Sequence, residues 1–218
     1  MNEAEWLASQ NAGSLLQHLS GRVSPRKVRL AVCGCLRAPR VWALLTSCAS
    51  RRAVEVSEAF ADRAADVKEL GEARKRANAA TVPTRRKKEP SKAIAWLANQ
   101  ACLQDGNLLG FGFPLIVREL TRIRKLLPAE LPRDVLGNPF RTSHVQSAWL
   151  TSTVTGLATA AYEERSLPSG ELDITRLAVL ADALEDIGCQ DAAILGHLRS
   201  PGPHVRGCWP VDLLLTKG

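Results

Sequence analysis

The stretch DITRLAVLADALEDIG, residues 173–188, reads as a helix from end to end. Leu177, Leu180, Ala181 and Leu184 recur at three- and four-residue steps, which stacks them on one helical face. Asp173 offers a side-chain acceptor for the first free N–H groups, and Gly188 tolerates the left-handed turn that ends many helices. Beyond the turn at Cys189 and Gln190, Ala192–Arg199 reads as a short antiparallel partner.

The same reading extends in both directions. Asn2 and Glu5 have capping-box spacing, and Trp6, Leu7, Leu15, Leu16 and Leu19 supply the apolar face of an opening helix interrupted at Gly13. Ser24-Pro25 caps a second helix to about Leu36, and Pro39 starts a continuation to Cys48. Ser50 opens a long third stretch through Val54, Phe60, Ala64, Val67 and Leu70. Ile94, Trp96, Leu97 and Leu103 predict a short helix, and DGNLLGFGFP (residues 105–114) a glycine-punctuated loop. Leu115–Leu127 is a basic amphipathic helix closed by Pro128 and Pro132. Residues 131–150 lack periodicity and are expected to be a long loop around GNPFR (residues 137–141). A helix over Thr153–Arg165 follows, and SPGPHVRGCWP leads as an irregular loop into Val211–Leu215. The expected fold is all-α, an irregular bundle of about seven to nine helices.

TVPTRRKKEP (residues 81–90) is the best linker in the sequence. It divides the chain into an N-terminal helical subdomain (1–80) and a C-terminal one (91–218), unless the whole packs as one compact domain.

Composition agrees with helices. Of 218 residues 45% are hydrophobic but only 5% aromatic, which disfavours a β-sandwich and excludes collagen-like and wholly disordered chains. The net charge of +7 is uneven, with balances of +5 for residues 1–80, +6 for 81–133 and −4 for 134–218. A basic front points to association with nucleic acid, an acidic protein or anionic lipid, not to a reaction. Six cysteines in a chain of this length, with no secretory signal pattern, fit free thiols in a reducing cytoplasm. The longest apolar runs fall far short of the roughly 20 residues of a spanning helix, so no membrane insertion is expected.

Three sets of residues belong together by pattern: EAEWLA (residues 3–8); GNPFR with AWL (148–150); and the tail AYEER (161–165), RLAVLADALEDIGC (176–189) and PGPHVRGCWPVDLLL (201–215). Together they resemble an uncharacterised bacterial helical domain family abundant as paralogues in planctomycete-type genomes. The LADALEDIGC stretch is also similar to the helical repeat-companion modules of such genomes. The resemblance implies a small cytoplasmic helical domain, alone or within larger chains, and brings no catalytic motif. Thr142-Ser143 departs from it, since a further proline usually follows GNPFR.

Four groups of side chains are candidates for chemistry. His204, Arg206 and Trp209 set an imidazole, a guanidinium and an indole on one proline-braced loop, the chemistry of a binding hot spot; Arg206 is alternatively expected to pair with Asp182 or Glu185 while Trp209 plugs the core. Arg85, Arg86, Lys87 and Lys88, with Arg118, Arg122 and Lys125, could meet phosphates, although no nucleic-acid motif frames them. Cys189, His197, His204 and Cys208 are the ligand types of a structural zinc, in a spacing that matches no recognised zinc pattern. Asp182, Glu185 and Asp186 are expected on a solvated helix face. No nucleophile with a base and no phosphate-binding glycine loop is present, so an enzyme is not the favoured reading. The leading expectation is a non-enzymatic protein-interaction module without cofactor; the alternatives are a nucleic-acid-associated basic protein, and a metal-dependent enzyme or structural zinc protein.

Overall fold

The computed structural model describes residues 1–81, 90–141 and 143–217. Within them the protein is all-α, with thirteen α-helices plus one single-turn segment and no strand, so seven to nine was an undercount. In chain order the helices are α1 (Glu3–Ala8), α2 (Ala12–His18), α3 (Pro25–Arg37), α4 (Pro39–Leu44), α5 (Cys48–Ala61), α6 (Val67–Thr81) and α7 (Ser91–Ala101). The single turn α8 (Asp105–Asn107) and a wider turn over Leu108–Gly112 lead into α9 (Phe113–Arg122) and α10 (Glu130–Leu136). The series ends with α11 (Ser152–Glu163), α12 (Ile174–Asp186), α13 (Ala192–Leu198) and α14 (Trp209–Leu214).

Caps lie where short polar side chains meet helix starts. The Asn2–Glu5 capping box is complete, and Ser24, Thr151, Asp173 and Asp191 each accept backbone N–H bonds at the heads of α3, α11, α12 and α13. Other boundaries differ from expectation. The opening helix breaks at residues 9–11, where Asn11 caps α2, and not at Gly13. Ser47 caps α5, and the stretch expected from Ser50 to Leu70 is two helices turned at Arg63, whose φ is 62°. DGNLLGFGFP is mostly helical turns, and a helix, α10, occupies the start of the region read as a loop.

Two large cores result. The first joins α3, α4, α7, α9 and α10 around residues such as Leu30, Leu36, Ile94, Leu97 and Leu120, and so draws on both sides of residues 82–89. The second joins α11 to α14 around Tyr162, Leu177, Leu180, Leu184 and Val211. Buried polar groups tie the two together. Glu58 on α5 accepts Arg37 Nε at 2.6 Å and Arg165 Nη2 at 2.8 Å, and Arg37 also donates to Pro168 O. Arg26 reaches Asp62, Asp212 and Tyr162 at 2.6–2.9 Å. No helix among the described residues is long and apolar enough to cross a membrane.

Candidate functional site

A cleft of about 1160 Å³ opens where the two cores meet. Its walls come from the stretches that the sequence sets apart: Leu7 of α1, Pro139 and Arg141 of GNPFR, Leu150, and Trp209 and Leu213 of the tail. Local chemistry draws these distant segments together. Arg133 on α10 donates to Trp6 O and Ser9 O, which fastens α1. Glu3 accepts from Asn138 Nδ2 at 2.8 Å and Arg141 Nε at 2.5 Å. Gly137 has φ 71°, and a β-carbon there would lie 3.3 Å from Trp209 Cγ, so glycine alone allows both the turn and the indole against it.

The floor of the cleft is polar. Asp134 on α10, His197 on α13, and His204 and Cys208 of the tail present ligand-type atoms within 4.8 Å of one another. Asp134 Oδ1 lies 2.9 Å from both His197 Nε2 and His204 Nδ1, and Oδ2 accepts the Val205 N–H at 2.8 Å. Trp209 Nε1 donates to His197 Nδ1 at 3.1 Å. An indole nitrogen only donates, so Nδ1 of His197 bears the lone pair and its proton sits on Nε2, facing Asp134. His204 points Nε2 at Ser200 O, 3.0 Å away. Both of its ring nitrogens thus face acceptors, as suits an imidazolium. Burial works against that charge, but the hydrogen bond and charge of Asp134 prevail and raise the His204 pKa. For Asp134 burial pushes the pKa up, and the bonds to His197 and His204 more than offset it, leaving the carboxyl below its ordinary range. Burial, with Asp134 nearby, pushes the Cys208 thiol well up.

This is not the geometry of a nucleophile with its base. A thiol–imidazole–carboxylate relay needs thiol and acid on opposite nitrogens of one ring. Here Asp134 and Cys208 crowd the same nitrogen of His197, at 2.9 and 3.3 Å, and the same nitrogen of His204, at 2.9 and 3.8 Å. The thiol is fully buried and held protonated.

Of the expected metal set, His197, His204 and Cys208 come together, while Cys189 stands outside the cluster and Asp134 takes its place. Asp134 carries no signal in the sequence, because Pro128 and Pro132 mark the segment around it as loop, whereas it lies on α10. His204 and Trp209 line the cleft, but Arg206 points away, pairing with Asp62 Oδ2 at 2.6 Å and with Glu163. The expected pairing of Arg206 with Asp182 or Glu185 is overturned: Arg199 takes both. Arg118 and Arg122 sit on the outer face of α9 and both pair with Glu119, and Lys125 is exposed. Arg85, Arg86, Lys87 and Lys88 lie outside the described residues. Cys33 and Cys35 are both buried in the first core. No family model matches the chain, and no curated protein or solved structure matches it.

Proposed function

We propose that the protein is a non-enzymatic interaction module that takes a segment of a protein partner into the cleft, and that it belongs to the planctomycete-type helical family it resembles. The cleft carries this reading. At about 1160 Å³ it exceeds the roughly 300–1,000 Å³ of small-molecule sites, and it is lined by Leu7, Val145, Leu150 and Leu213. At its mouth Leu7 is 54% exposed, an apolar side chain in water beside a concave surface. An extended or helical segment with apolar side chains would bury it.

The test is recovery of a partner from lysate of the native cell by tagged wild type and by Leu7→Glu, each with and without nuclease. The exposed position leaves folding intact, so helix content and melting should match wild type. A protein captured with and without nuclease, and bound at least about tenfold more weakly by Leu7→Glu, supports the reading. Capture that survives Leu7→Glu unchanged, or that vanishes with nuclease, overturns it.

A further inference from the structure

We propose that Asp134, His197, His204 and Cys208 bind one Zn²⁺ ion at the floor of the cleft, independently of whether the cleft takes a protein segment. Four observations lead there. The donors are two imidazoles, a thiol and a carboxylate, each a ligand type that zinc accepts. They stand on three separate pieces of structure: α10, α13 and the tail loop. Four of the six separations between ligand atoms are 2.9, 2.9, 3.3 and 3.8 Å, on either side of the roughly 3.3–3.6 Å edges of a tetrahedron built with ordinary zinc bond lengths, and all six lie within 4.8 Å. Finally, one thiolate and one carboxylate cancel the ion's two charges, so a neutral unit is buried instead of a bare cation.

The outer contacts orient the ligands. Ser200 O holds the Nε2–H of His204, which turns Nδ1 toward the centre, and the Val205 N–H holds Asp134 Oδ2, which leaves Oδ1 for the ion. Ligation displaces the thiol proton of Cys208 and the Nδ1 proton of His204 to solvent. His197 keeps one ring proton, but it moves from Nε2 to Nδ1. The Trp209 N–H then has no acceptor there and its bond to His197 breaks, so the indole reports on occupancy.

The experiment uses full-length protein stripped with chelator, in a Cys48→Ser background that removes the one exposed cysteine, with Co²⁺ as spectroscopic probe and Zn²⁺ as competitor. The expected result is one equivalent of Co²⁺ with the intense visible bands of tetrahedral cobalt and a thiolate band in the near ultraviolet. Both should be displaced by one equivalent of Zn²⁺, with a parallel change in tryptophan fluorescence. Cys208→Ser should abolish the thiolate band and weaken Zn²⁺ binding at least about 100-fold, beyond the 10–100-fold of an outer-contact change. Cys189→Ser should leave both unchanged. Wild type that gives no tetrahedral cobalt spectrum overturns the proposal without reference to any variant. So does a thiolate band that survives Cys208→Ser.

Discussion

The Val205 N–H donates to Asp134 Oδ2 at 2.8 Å across 71 residues of chain. The other oxygen of that carboxylate meets His197 and His204, so one acidic side chain on α10 organises the whole tail loop. Asp134→Ala strands a backbone donor and two imidazoles at a site that is 3% exposed, and should cost about 3–5 kcal/mol. Asp134→Asn retains shape and one acceptor oxygen and should lose about 1–3 kcal/mol. Urea unfolding measures both; an Asp134→Ala loss under about 0.5 kcal/mol would mean that the tail is held elsewhere.

Asp134 also marks the limit of what the sequence discloses. Stripes such as Leu177 to Leu184 and caps such as Asp173 are local signals, and the helices they predict are present. Helix α10 was hidden by its prolines. Pro128 and Pro132 read as terminators of α9, yet Pro132 lies in the first turn of α10, where its missing N–H costs nothing. The site was half legible for a related reason. His197, His204 and Cys208 are close in sequence, whereas Asp134 lies 63 residues before His197 and reaches them only through tertiary packing. Long-range pairing misled too: Arg206 and Arg199 are equally plausible partners for Asp182 on charge alone, and only the direction in which the tail leaves α13 separates them.

Glu58 makes stability sensitive to acid. Burial pushes its carboxyl up, but bonds from Arg37 and Arg165 hold the pKa below the ordinary 4.5. A carboxyl depressed in the folded state contributes in full above its unfolded value near 4.5, and loses that contribution as pH falls through the lower folded value. Wild type should therefore weaken steeply below about pH 4.5. Glu58→Gln should start about 3–5 kcal/mol lower at pH 7, since two guanidinium groups lose their counterion, and the gap to wild type should narrow on acidification. A constant gap from pH 7 to pH 3 in urea midpoints would show that Glu58 does not titrate with folding.

Thiol reactivity should divide the cysteines one against five. Cys48 is exposed, while Cys33, Cys35, Cys102, Cys189 and Cys208 are buried. Burial pushes Cys35 up to about 12 and raises the others as well. An aromatic disulfide reagent should titrate one thiol quickly in native protein and six in denaturant. A second fast thiol would place one of the five outside the cores.

Gly13 lets α2 lie directly on α9. A methyl group there would run into the Thr121 hydroxyl and sit 2.5 Å from Val117 O. Alanine raises helix propensity by about 1 kcal/mol, but the facing backbone carbonyl cannot swing aside as a flexible side chain would. Gly13→Ala should therefore be a net loss of about 1–3 kcal/mol, read as a lower urea midpoint. A midpoint at or above that of wild type would mean that the two helices can separate at little cost.

Arg29 is fully buried and serves the carbonyl end of α7. It donates to Ala101 O, to Leu103 O at 2.7 Å and to Asp105 Oδ1 at 2.8 Å, with the Phe60 ring 4.8 Å away. Asp105 is 54% exposed and can turn to water, so the ion pair itself is worth little. The two carbonyls belong to a helix end with no further N–H to satisfy them, and losing a buried partner costs about 1–3 kcal/mol for each. Arg29→Met fills the space but supplies no donor, and should lose about 2–5 kcal/mol. Arg29→Lys brings a single ammonium where a planar fork spans both carbonyls, so it should recover only part of that loss. Full recovery by lysine in urea unfolding would show that charge matters here and the fork does not.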